Sequence, residues 1–178
     1  MNNSPMLWQE FLKYMPKGSL LAGGAVVDFV FGHLAKDFDI FVNKNAVMAE
    51  LPGNWKYLPP VDMVAHQAEY DIEAKDGTNP ILAVEDFDVD LAGTIYRVQR
   101  ITLDCDPMDH IKNFDHSLTL GVFGPSGLKV SGKVFKSMQT KTVELLNNKR
   151  PEKSMLRAQR KIIKLDPEEQ NMWAFKGW

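Results

Sequence analysis

At 178 residues, with 44% hydrophobic and 25% charged positions, the chain is long enough for one core of ordinary size, short for two, and composed like a globular protein rather than a disordered or fibrous one. Its single cysteine, Cys105, excludes an internal disulfide, and the histidines His33, His66, His110 and His116 lack metal-ligand spacing, so redox chemistry and structural zinc are not expected. The formal net charge of -2 conceals a division: residues 1–128 carry 9 Lys plus Arg against 18 Asp plus Glu, whereas residues 129–164 carry 11 against 2, which suits either a polyanion-binding segment beside an acidic site or a solvated basic helix face.

In chain order, Leu7, Trp8, Phe11 and Leu12 recur at helical spacing over residues 7–14 and are followed by a turn at 16–19. Residues 19–22 read as a short buried strand that stops at Gly23-Gly24, and residues 25–34 resume helical spacing. Residues 36–42, Lys-Asp-Phe-Asp-Ile-Phe-Val, alternate with period two as a half-buried strand does, and residues 43–51 are expected as a short helix. Weak patterns near 55–57 and 66–73 suggest irregular strands; 81–84, 89–92 and 94–103 read as sheet strands. Asp106-Pro107 opens a short helix to residue 113, a strand is expected over 114–123 before the turn at 124–127, and residues from 137 onward read as helical with a break at Arg150-Pro151. No long apolar run follows a basic N-terminal segment, and residues 20–32 are interrupted by Asp28, so neither a leader peptide nor a membrane association is expected, and the cytoplasm is the expected compartment.

The chemistry concentrates in residues 20–42. Asp37 and Asp39, two residues apart on a strand, point to one face while Phe38 and Ile40 point to the other. Such a pair suits Mg²⁺, or Mn²⁺, which takes a few carboxylate oxygens and completes its shell with water and substrate phosphates; it also occurs on ordinary exposed strand faces. Gly23 and Gly24 lie between a strand and a helix N-terminus, where backbone N–H groups can meet phosphate, or where glycines simply supply a tight turn.

Residues 20–42, LLAGGAVVDFVFGHLAKDFDIFV, resemble the signature of the polymerase-beta nucleotidyltransferase superfamily, in the version of the poly(A) polymerase and tRNA CCA-adding branch. Gly23, Gly24, Asp28, Lys36, Asp37 and Asp39 match that pattern, whereas Val27 stands where the branch has arginine. Residues 98–124 and 150–165 are similar to segments of small phage and viral proteins with the same motif, for which the host cytoplasm would be the compartment.

The resemblance implies an α/β (α+β) fold, a small mixed sheet with helices on one face, with a core over residues 1–136 and a helical C-terminal extension over 137–178. It implies transfer of a nucleoside monophosphate from a nucleoside triphosphate such as ATP to a hydroxyl on RNA or tRNA, a protein or a small molecule. Asp37 and Asp39 would be catalytic metal ligands and Gly23, Gly24 and Lys36 would hold the nucleotide. A third carboxylate is expected from a neighbouring strand, with Asp115 the first choice and Asp90 or Asp88 the alternatives. Asp28 is expected to cap or pair locally, and His116 to face away from Asp115. In residues 150–164, Lys153, Arg157, Arg160, Lys161 and Lys164 make one basic face, of which Arg157 and Lys161 are assigned to the nucleotide, while Met155, Leu156, Ile162 and Ile163 are expected to pack inward. Val27 leaves open a non-catalytic member of the fold that binds nucleotide or a partner; a more distant reading, which rests on the basic C-terminal helix, is a nucleic-acid-binding protein that uses that helix.

Overall fold

The computed structural model describes residues 2–60, 80–147 and 151–177. A mixed sheet in the order β3-β4-β5-β2-β1-β6-β7 carries the fold. Its strands are β1 (Leu20–Ala22), β2 (Asp37–Asn43), β3 (Trp55–Leu58), β4 (Ile81–Leu91), β5 (Thr94–Leu103), β6 (Gly121–Gly124) and β7 (Gly127–Val130). Strands β2 and β5 are parallel, and the other neighbours are antiparallel.

Register decides which side chains share a face. On one face, Phe38, Ile40, Val98 and Phe87 meet α1 (Pro5–Leu12), whose Leu7, Trp8 and Phe11 are fully buried, and α2 (Gly24–Val30), which contributes Ala25 and Val26. Phe11 lies 5.2 Å from Phe38 between ring centres and Trp8 lies 5.3 Å from Phe123, so aromatic contacts carry much of this layer. On the other face, Phe41, Ile101 and Leu103 are covered by Ile111 of α3 (Pro107–Ile111) and by Phe114. The cover stops short of Asp37 and Asp39, which lie at the start of β2 on this second face.

A third cluster joins Val27 and Leu118 to Val134 of α4 (Gly132–Thr140), Val143 of β8 (Thr142–Glu144), Ala158 and Ile162 of α5 (Pro151–Leu165), and Trp173. Residues beyond α4 therefore pack onto the body. They include a small parallel pair, β8 with β9 (Ala174–Lys176), where only helix is expected from the sequence. Lys141, in the left-handed conformation at φ 52°, ends α4 and turns the chain into β8.

Other departures have local causes. Residues 43–51 are not helical: the Asn43 side chain accepts from Asn45 N–H at 2.8 Å, an Asx turn that competes with helix. Segments 81–84 and 89–92 join in one strand, β4, because acidic residues 85, 86 and 88 are offset by Arg100, Gln99 and Arg97 on β5. The expected strand over 114–123 is interrupted by a 3₁₀ turn at Ser117–Thr119, capped by His116. The expected strand at 66–73 lies outside the described residues. Among the described residues, no helix is long and apolar enough to cross a membrane.

Candidate active site

The glycine turn begins where β1 ends. Gly23 has φ 97°, a conformation that side chains rarely adopt, and its N–H donates to the Gly121 carbonyl at 2.9 Å. The turn starts α2 directly beside the Asp39 carboxylate, since a Cβ on Gly23 would stand 3.9 Å from Asp39 Oδ2. A cleft of about 600 Å³ opens there, lined by Gly24, Lys36, Asp37, Asp39, His116 and Thr119, with Arg157, Arg160, Lys161 and Lys164 of α5 along another wall. Of the site residues expected from the sequence, the structure thus brings Gly24, Lys36, Asp37, Asp39, Arg157 and Lys161 to one cavity, with Gly23 adjoining it.

Helix α5 is held over the turn by charge. Asp28, buried in α2, pairs with Lys161 through Oδ1 and with Lys164 through Oδ2, the latter at 2.8 Å. Lys161 also donates to the Gly24 carbonyl at 2.8 Å and Lys164 to the Leu34 carbonyl at 2.6 Å. The partners of Asp28 are therefore remote in sequence rather than local: the cations come from a helix 133 and 136 residues away. Burial pulls the Lys161 pKa down from its ordinary value, against the upward pull of Asp28. Val27, which replaces the arginine of the family pattern, is fully buried against the third cluster, so that position is core here.

The seating of α5 differs from the expectation. Ser154, Ala158, Ile162 and Leu165 are buried, whereas Leu156 and Ile163 are about half exposed. Burial at intervals of three and four leaves Arg157, Lys161 and Lys164 on the flank that meets α2 and the cleft.

The acidic candidates for a third ligand take distinct places. Asp115 is 1% exposed and lies between α3 and the 3₁₀ turn, not on a strand flanking β2; its Oδ2 stands 3.6 Å from Arg157 Nε. Asp88 pairs with Arg97 at 3.0 Å, and Asp90 accepts from Gly93 N–H at 2.9 Å in the β4–β5 turn. Strand β2 is flanked by β1 and β5, and the residues in register with Asp39 are Ala22 and Gln99. Gln99 in turn donates to Asp86 at 2.8 Å, so an amide stands between the two carboxylates of that row. Among the described residues no three His, Cys, Asp or Glu side chains gather closely enough to hold a metal. Two carboxylates on one face still fit Mg²⁺, which commonly takes one or two from protein and the rest of its shell from phosphates and water.

Sequence reasoning missed His116. The 3₁₀ turn removes the period-two alternation on which the expectation for residues 114–123 rested, and His116 lines the cleft. Full burial pushes its pKa down to about 4, with Arg157 and Lys161 adding to the shift against Asp115, so the imidazole is neutral near pH 7.

No family model and no curated protein matches this sequence. Solved structures do. A CCA-adding enzyme in complex with CTP superposes with a TM-score of 0.58 at 18% identity, over 98% of this chain and 41% of that one. The Thermotoga maritima CCA-adding enzyme complexed with tRNA gives 0.55 at 16% identity, over 98% and 40%. A tRNA nucleotidyltransferase complexed with a primer tRNA and an incoming ATP analogue gives 0.51 at 14% identity, over 94% and 46%. The chain spans less than half the length of these proteins, and the likeness establishes that it has the nucleotidyltransferase fold.

Proposed function

We propose that the chain is a metal-dependent nucleotidyltransferase that joins a nucleoside monophosphate, taken from a nucleoside triphosphate, to a hydroxyl. The observation that carries this reading is the meeting of Asp37, Asp39, the Gly23-Gly24 turn and the cations of α5 at one cleft, on a fold shared with proteins solved with CTP, with an ATP analogue and with tRNA. In the proposed reaction the acceptor hydroxyl gives up its proton to water, its oxygen bonds to the α-phosphorus, the bond from that phosphorus to the bridging oxygen breaks, and pyrophosphate leaves.

Asp37 and Asp39 would hold Mg²⁺ or Mn²⁺, which when bound offsets phosphate charge and sharpens the acceptor hydroxyl as a nucleophile. The remaining work falls to the chain. The backbone at Gly23 and Gly24 admits the phosphates closely, and Lys36, Arg157 and Lys161 offset their charge. Asp115 acts through Arg157, holding the guanidinium in place, and Lys161 and Lys164 fix α5 against α2. RNA or tRNA is the proposed acceptor, since α5 brings Arg157, Arg160, Lys161 and Lys164 to the cleft, with Lys153 one turn before them, and the neighbours include tRNA complexes. The cytoplasm is the proposed compartment.

A second reading, nucleotide binding without turnover, is favoured by one observation: the strand position beside Asp39 carries the neutral Gln99. Titration calorimetry with CTP and ATP, with and without Mg²⁺, tests the shared premise. Mg²⁺-dependent affinity in the wild type that falls in Asp37→Asn and Asp39→Asn supports both readings, and its absence refutes both.

A further inference from the structure

His116 is 2% exposed yet forms part of the cleft wall. Its Nδ1 accepts the Leu118 backbone N–H at 3.2 Å, and its carbonyl accepts from Thr119 Oγ1 at 2.7 Å, so the turn backbone fixes both ring and main chain. A neutral imidazole whose Nδ1 is an acceptor carries its hydrogen on Nε2. With Nδ1 engaged by the 3₁₀ turn, the polar edge left to the ring for the cleft that His116 lines is Nε2, a donor. Asp115, already beside Arg157, and the cations Arg157 and Lys161 act electrostatically on this ring, and both cations line the same cavity. A rigid N–H beside two cations recognises an anionic oxygen, and offers nothing to a cation or an apolar group.

We infer that His116 donates a hydrogen bond from Nε2 to a phosphate oxygen of the ligand in this cleft, beside Arg157 and Lys161. The inference rests on the nucleotide reading of the site and deepens it, adding a neutral donor to a phosphate subsite otherwise made of backbone and cations. His116 is thus a binding residue, held ready by the capping bond to Leu118.

The test uses the full chain, with CTP and inorganic tripolyphosphate as probes. His116→Asn keeps a short acceptor for the Leu118 N–H, as asparagine does at helix starts, but withdraws the donor from the cleft. Calorimetry should show both probes bound about tenfold more weakly or worse, by similar factors, because a hydrogen bond to a charged oxygen is lost. In the wild type, the His116 Nε2–H resonance should move on adding tripolyphosphate; this measurement stands whether or not the variant folds. An unmoved resonance under saturating ligand, or unchanged affinity in His116→Asn, overturns the inference while CTP binding keeps the nucleotide reading alive. Weakened CTP binding with tripolyphosphate unaffected also overturns it, placing His116 against sugar or base. Tripolyphosphate binding that depends on His116, without CTP binding, upholds the inference and refutes the nucleotide reading; binding of neither probe refutes both.

Discussion

Replacing Asp28 by asparagine removes a carboxylate that two ammonium groups share. The Asp28 side chain is 5% exposed and Lys161 12%, so the variant leaves Lys161 as a largely enclosed cation whose remaining partner is the Gly24 carbonyl. Lys164, at 37%, recovers water and contributes little to the loss. Breaking a buried pair from one side costs about 3–5 kcal/mol, and the relief available to Lys164 points to the lower end, about 3 kcal/mol. For a chain of this size that corresponds to a fall in Tm of roughly 6–12 °C. Urea unfolding at fixed pH measures it, with an unchanged slope showing that the two-state comparison holds. Lys161→Met, which leaves Asp28 paired with Lys164, should cost less, about 1–2 kcal/mol, and the double variant should lose less than the sum of the singles. Because α5 carries the cationic wall, Asp28→Asn should also weaken nucleotide binding. A loss below about 1 kcal/mol, or strict additivity, would refute the view that this triad fastens α5 to the glycine turn.

Other outcomes follow from single features of the site. Asp115→Asn should raise the nucleotide KM more than it lowers kcat, because its partner is Arg157; a fall in kcat alone would make Asp115 a direct participant at the reacting atoms. Gly23→Ala, forced to φ 97°, should lose about 1–3 kcal/mol in chemical denaturation, and a neutral result would mean that the turn relaxes easily. His116 gives a pH dependence. Below about pH 6.5 the unfolded chain takes up a proton that the folded chain refuses until about pH 4, so stability should be lost as the pH is lowered from about 6.5 to about 4, by up to about 1.4 kcal/mol per unit. His116→Asn should flatten that slope, as unfolding curves at several pH values would show.

The parts of the fold legible in the sequence are those set by short-range physics. The alternation of Asp37, Phe38, Asp39 and Ile40 announced β2 and its two faces, and Gly23-Gly24 marked the strand-to-helix turn, because side-chain period and positive φ are local properties. Three features were not legible, two of them because they depend on chain segments far apart and the third because one local pattern imitates another. Asp28 looked like a local cap, yet its partners lie on α5. The place of Gln99 beside Asp39 comes from the parallel pairing of β2 with β5, and no residue pattern specifies that register. His116 was misplaced because apolar alternation at Leu118, Leu120 and Val122 imitates a strand, while the side-chain cap from His116 to Leu118 N–H and the Thr119 hydroxyl contact favour a 3₁₀ turn. The basic face of α5 was visible in the spacing of Lys153, Arg157, Lys161 and Lys164, but which apolar residues seat the helix was not: small Ser154 and Ala158 let it approach the body where Leu156 was expected.

The most direct measurement is transfer of label from nucleoside triphosphates carrying radiophosphorus at the α or the γ position, incubated with Mg²⁺, the full chain and a pool of tRNA lacking its 3′ end. Transfer of a nucleoside monophosphate predicts α-label covalently joined to RNA, γ-label released as pyrophosphate, and neither event with Asp37→Asn or Asp39→Asn. Tight Mg²⁺-dependent nucleotide binding with no α-label joined to RNA, protein or small molecule in a cell extract would contradict it, and would leave the chain a nucleotide-binding protein on a nucleotidyltransferase fold.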